Sequence, residues 1–436
     1  MDKSDTQKQV SINQIHLLYQ LCVSVLSCCG IVLAASASVP AEVRAGEEPT
    51  DWPVVITRLK QQFYDQSGQA RARSQLAVAY NNYGVSLGEQ GLWELAATQL
   101  QEALRLDEAN QQYRQNLANI YLNQAQQAYQ RHAADEALSA IEHALHYYPD
   151  LALGYALLGE IEYGRQRLKE AKAAWQRAVE LDPSQDALKK RLEQVTEELP
   201  VESKFERLSQ SSFDLRYEEG LERPVGFDIR DALLGARREV GSDFAYWPRQ
   251  KIVVLIYSAE NFRKLREETP EWVAGQFDGK IRVPLPSAGL ELAMVRQILF
   301  HEYAHALIHD LSGGQCPLWL NEGLAEYEGR TQLQGSLERL KKARDAEQLI
   351  PWPELSARFS PSLSGEEVAL AYEQAYSIVA YLTSRYGFWR VRRLLKAVGG
   401  GQGWEAAFAD EFRMKLPRLE RQWLEWLPEF LRTHPS

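Results

Sequence analysis

Cysteine is scarce in this chain of 436 residues and unevenly placed. Of the four, Cys22, Cys28 and Cys29 fall in an apolar N-terminal stretch and only Cys316 lies beyond it, which excludes a disulfide framework for the folded part. A lone Cys316 can serve as ligand, nucleophile or loop filler, and filler is the usual behaviour of a free cysteine. Clustered basic residues are missing too. The net charge is −10 and Lys and Arg are nowhere concentrated, which excludes a nucleic acid partner, whose phosphates need such clusters. With 25% charged and 45% hydrophobic residues the composition is that of a soluble globular protein, and the length calls for two or three domains.

One long uncharged run exists, at residues 17–39, where only Gln20 is strongly polar. Lys3 and Lys8 precede it, and small-residue cleavage sites follow at Ala35-Ser36-Ala37 and Val39-Pro40-Ala41. Residues 1–45 are therefore expected to be an export signal with its linker. The run is also near the roughly 20 residues of a spanning helix, so a retained membrane anchor is the alternative. Lipidation at Cys28 or Cys29 is a weaker one, because apolar residues continue past both. The expected location is exported, either periplasmic or anchored facing the envelope.

Residues 52–196 read as entirely helical and repeated. The segments ending at Ala103, Ala144 and Ala178 align, with 34 residues between the last two and 41 between the first two, which is 34 plus about two helical turns. A small residue recurs seven positions earlier (Ala96, Ala137, Ala171), and a bulky one lies between (Leu100, Ile141, Trp175). Gly84 and Gly159 mark close helix approaches, and Pro149 and Pro183 end the second and third units. This pattern resembles the tetratricopeptide repeat, in which helical hairpins that cannot bury their own apolar faces stack into a solenoid with a concave groove. The resemblance implies a protein partner held in the groove; a rigid spacer or an oligomerisation surface is the alternative. No Lys/Asn/Arg cluster for a terminal carboxylate is present, so no ligand can be named.

Residues 197–212 are charged and polar, and Pro200 is expected to break the last helix there. Beyond, the period changes. Residues 213–217 and 251–257 read as strands and 228–240 as a helix, with Ser258 capping the next one. Residues 280–285 form a further strand, which Pro284 should confine to an edge. A long helix follows over 291–311, and the rest is nearly all helical. The expected architecture is multidomain: an all-α repeat solenoid at 52–196, an α+β domain at 211–330, and a helical part at 331–436 that completes the site.

His301-Glu302-Tyr303-Ala304-His305 lies inside the long helix. Four residues overshoot one helical turn by only about 40°, so both imidazoles leave the same face one turn apart, within reach of one zinc ion. Glu302 sits one step round, placed to act on a water without being a ligand. Sixteen residues after His305 intervene before Glu322, and they include Gly313-Gly314 and Pro317, enough to turn the chain and bring back an antiparallel helix. His301, His305 and Glu322 are thus the candidate metal ligands, with a fourth position open. His309 lies too far along the axis to join them.

With these residues in place, 213–430 resembles the gluzincin clan of peptidase-MA-like bacterial metallopeptidases. It shares Trp319-Leu320-Asn321-Glu322-Gly323 with the membrane alanyl aminopeptidases. That resemblance implies a Zn2+ cofactor, a zincin-like fold, Glu302 as catalytic base and a polypeptide substrate. It also implies, through Tyr372-Glu373-Gln374-Ala375-Tyr376, that Tyr372 supports the oxyanion, with Tyr376 as the alternative. Glu326 either orients His301 or is merely solvated. The amine-binding Gly-x-Met-Glu-Asn segment of the aminopeptidases is not matched; 279–286 carries no such glutamate, which favours an endopeptidase pairing substrate with a strand edge. Two other readings stay open: a non-catalytic scaffold with an inert zincin fold, and a zinc amidase acting on a non-peptide bond.

Overall fold

A computed structural model describes residues 51–64, 69–131, 133–218, 223–265, 276–285, 292–360 and 363–434. The expected targeting segment at 1–45 lies outside them. No described helix is long and apolar enough to cross a membrane. The chain divides into two compact units, up to Thr196 and from Glu197 onward.

The first unit is all helical. Helix α1 (Trp52–Tyr64) precedes three hairpins, α2/α3 (Gln69–Glu89, Trp93–Leu106), α4/α5 (Gln111–Gln130, Ala134–Tyr147) and α6/α7 (Ala152–Gly164, Leu168–Leu181), and α8 (Asp186–Glu202) follows. Helix α4 has 20 residues and α6 has 13, so its seven extra residues account for the whole excess of the first 41-residue spacing. The periodic residues form the core: Ala96, Leu100, Ala103, Ala137, Ile141, Ala144, Ala171, Trp175 and Ala178 are all sealed from solvent. Gly84 lets α2 lie directly on α3, since a Cβ there would stand 2.7 Å from Leu100 Cγ. This unit is a tetratricopeptide-like helical repeat. Contrary to expectation, Pro200 does not break α8, which runs on through it to Glu202. That last turn already belongs to the second unit, where Glu198 and Glu202 pair with Arg282 of the sheet (3.4 and 2.9 Å).

The second unit opens with a five-stranded mixed sheet. Its strands are β1 (Glu206–Ser209), β2 (Phe213–Tyr217), β3 (Ile252–Ser258), β4 (Gln276–Phe277) and β5 (Ile281–Leu285), in the order β1-β2-β3-β5-β4. The period of two sorts the side chains. Phe213, Leu215, Val254, Ile256, Ile281, Val283 and Leu285 enter the main core under the helices. Val253, Leu255 and Tyr257 enter a smaller cluster on the other face with Phe262 of α10 (Ala259–Leu265). Ser258 caps α10 as its position suggested, accepting from the Asn261 amide at 3.3 Å.

Strand β5 is not the outermost strand. β4 pairs with it at Ile281 and Arg282, because a turn at 278–280 folds the chain back. Past β4, at Val283–Leu285, the outer side of β5 has no partner among the described residues, and Pro284 sits in that stretch. The helices are α9 (Arg223–Phe244), α11 (Leu292–Ser312), α12 (Leu318–Gly329), α13 (Glu338–Asp345) and α14 (Trp352–Leu355). A 3-10 turn (Ser356–Phe359) then leads to α15 (Gly365–Tyr386), α16 (Phe388–Gly399), α17 (Trp404–Phe412) and α18 (Leu416–Thr433). The fold is therefore a helical repeat region, then a small mixed sheet with helices and a helical C-terminal part.

Candidate metal centre

Helix α11 is apolar almost all round, and its segment from Leu299 to Leu311 is nearly sealed, so its histidines open into the interior. Gly313 and Gly314 both take left-handed backbone (φ 59° and 73°), which only glycine adopts at little cost, and the chain reverses there. Helix α12 returns antiparallel against α11. Gly323 then admits a third helix: a Cβ on it would stand 2.7 Å from the Ala375 carbonyl oxygen, so α15 packs backbone to backbone on α12.

The three candidate ligands meet as the sequence spacing required. His301 Nε2 and His305 Nε2 are 3.1 Å apart. Glu322 Oε2 lies 3.7 Å from the first and 3.6 Å from the second. A tetrahedral ion with bonds of about 2.1 Å sets its donors roughly 3.4 Å apart, so the triangle has the right size. Glu322 Oε2 is buried with no hydrogen-bond partner, an arrangement that a cation relieves. The other edges of the rings are fixed. His305 Nδ1 lies 3.0 Å from Asn321 Oδ1, which can only accept, so Nδ1 carries the hydrogen and Nε2 keeps its lone pair for an ion. His301 Nδ1 faces Glu326 Oε2 at 3.6 Å, and Arg330 Nε in turn donates to Glu326 Oε1 at 2.8 Å.

Electrostatics give the same reading. Burial disfavours a charged His301, yet the carboxylates of Glu322, Glu326 and Glu302 outweigh it and raise the ring to about 10. Burial likewise opposes charge on His305, and Glu322 still raises it. Glu322 is held well below the carboxylate range by the two imidazoles despite its burial. The pocket is short of positive charge, and its donor set suits a divalent metal ion.

Glu302 is 4% exposed and its Oε2 has no partner; burial, above all, raises its carboxyl. Tyr372 lies across the cleft, its ring 6.4 Å from that of His301 and edge-on to Phe359 at 5.1 Å. Burial and the neighbouring charge of Glu322 push the phenol well above its usual range, so it stays a donor. Tyr376 is elsewhere: it packs on Tyr327 and Phe430, with the Arg330 guanidinium 4.6 Å above its ring. Burial and Glu322 push the Cys316 thiol up, and the half-buried side chain lies outside the group formed by His301, His305 and Glu322. His309 packs on Phe277 and stays out of the ligand group.

Sequence reasoning assigned no role to Asn321 or Arg330. Asn321 was visible as the neighbour of Glu322, but its pairing with His305 depends on how α12 crosses α11.

Residues 248–429 match the Peptidase MA superfamily. No curated protein sequence matches the chain. Among solved structures, the first TPR of Spaghetti (RPAP3) bound to an HSP90 peptide is 22% identical, with 29% of this chain and 95% of that chain covered and a TM-score of 0.22. The Arabidopsis OM64 TPR domain is 20% identical over 28% of this chain and 96% of that chain, with the same TM-score of 0.22. His301, His305 and Glu322 all lie within that matched region, 248–429.

Proposed function

We propose that the second unit is a zinc-dependent endopeptidase. The observation that carries this is the Nε2, Nε2, Oε2 triangle of His301, His305 and Glu322, with the partnerless carboxylate of Glu302 one residue from the first histidine. Zinc held by those three residues would supply Lewis acidity toward a water molecule and the scissile carbonyl. Glu302, with its carboxyl raised by burial, accepts the proton of the attacking water and passes it to the departing amine. The Tyr372 hydroxyl donates a hydrogen bond to the oxyanion of the tetrahedral adduct. Asn321 and Glu326 keep both imidazoles turned toward the site. The outer side of β5 at Val283–Leu285, which has no partner among the described residues, would offer an extended peptide a strand to pair with, which suits cleavage within a chain.

The stacked hairpins of the first unit offer a groove for a protein partner, in keeping with their 34-residue period. The uncharged run at 17–39 supports export to the envelope, with or without a retained anchor.

The test is zinc content and casein cleavage by wild type beside Glu302→Gln. Stoichiometric zinc in both with cleavage in the wild type alone is the expected result. Absence of zinc from both would overturn the reading.

A further inference from the structure

The helical part of the second unit holds a second cavity, of about 540 Å³, which the proposed hydrolysis does not use. Its walls are rings in continuous succession. Phe388 lies against Tyr327 (6.2 Å between centroids), Tyr327 against Tyr376 (6.2 Å), Tyr376 against Phe430 (6.0 Å), and Phe430 stacks on Trp426 at 4.5 Å. Five aromatic rings from four helices thus border one space, where His434 also packs on Phe430 at 4.2 Å.

The charge around it has one sign in excess. Asp243 and Glu429 line the cavity. Glu429 is paired with Arg432, but Asp243 has no cation beside it among the described residues. Glu328, close enough to Asp243 to feel its charge, is 1% exposed, and its Oε1 has no hydrogen-bond partner. Burial, then Asp243 and Glu239, push the Glu328 carboxyl well above its usual range, and Glu239 does the same to Asp243 after burial. Carboxyl groups that raise one another are missing a cation. Among the described residues, the guanidinium seated over one of these rings, that of Arg330 on Tyr376, is already committed to Glu326 and to the Gly335 carbonyl.

Rings present their negative faces to cations, and carboxylates at the rim of such a cage strengthen the attraction. We propose that the cavity bordered by Tyr327, Tyr376, Phe388, Trp426 and Phe430, with Asp243 at its edge, binds the cationic end of a slender organic cation, the guanidinium or ammonium of a basic side chain. Its volume lies in the range of small-ligand sites. Tyr376 follows Tyr372 by one helical turn and Tyr327 follows Glu322 by five residues, so a basic residue held here lies near the cleft on the same two helices. The inference does not depend on hydrolysis and is tested by binding alone.

The full chain carrying Glu302→Gln is titrated calorimetrically with Nα-acetyl-arginine amide and with its neutral isostere, Nα-acetyl-citrulline amide. Saturable binding of the arginine compound is expected, with the citrulline compound at least tenfold weaker. Asp243→Asn and Trp426→Leu should each weaken the arginine compound at least fivefold while far-UV circular dichroism stays unchanged. Equal binding of the two compounds, or affinity untouched by both substitutions, would overturn the assignment. Spermidine then separates the sources: tighter binding than the arginine compound assigns the cage to a free polyamine, and weaker binding to a residue of a polypeptide.

Discussion

Asn321 Oδ1 accepts from His305 Nδ1 at 3.0 Å, and Asn321 is the residue immediately before the third candidate ligand. One turn of α12 therefore carries both a candidate ligand and the partner that orients the ring of another. Asn321→Ala should lower zinc affinity by about 10–100-fold with the fold intact, as partners of metal-bound histidines generally do. Competition with a fluorescent chelator measures it. Unchanged affinity would mean that α11 alone fixes the ring.

Tyr372→Phe removes the donor proposed for the oxyanion and nothing from the ligand triangle. Turnover should fall by about 10²-fold while KM and zinc content barely move, the pattern of an interaction made in the transition state. A rise in KM at unchanged turnover would reassign the hydroxyl to substrate binding.

Arg282 is fully buried and bonds Glu198, Glu202 and Asp278 on the far face of the sheet. Arg282→Met leaves those carboxylates without their cation and should cost about 3–5 kcal/mol, read as a lower urea midpoint. An unaffected midpoint would show the network to be energetically idle.

Lys280 shares that enclosure. Burial, then the charge of Arg282, lower its ammonium to about 7. The unfolded chain, titrating near 10.5, binds the proton more readily, so Lys280 contributes stability that grows as pH rises from about 7 toward 10.5. Below 7 both states are protonated and the penalty is constant. Melting temperature across that window should rise in wild type relative to Lys280→Met; parallel curves would refute the assignment.

That His301, His305 and Glu322 come together was legible because it rests on local geometry. His301 and His305 share a helix face by arithmetic, and Gly313-Gly314 announced the reversal that returns Glu322. The repeat was legible for the same reason, each small–large–small triplet recurring within one hairpin. What escaped is what two distant segments decide together. Resemblance alone sets Tyr372 ahead of Tyr376, and the seating of α15 on α12 is what sends the first to His301 and the second to Arg330. The strand with Pro284 read as an outermost one, but β4 folds back over its first residues from a turn that no periodicity records. Pro200 read as a helix end, since its contacts with Arg282 through the flanking Glu198 and Glu202 span some 80 residues of sequence.

The seat of α15 on α12 at Gly323 has a mechanical consequence. With bare backbone touching the Ala375 carbonyl there, the wall bearing Glu322 and the wall bearing Tyr372 cannot slide apart without opening the tightest joint in the cleft. Those two walls act as a fixed jaw.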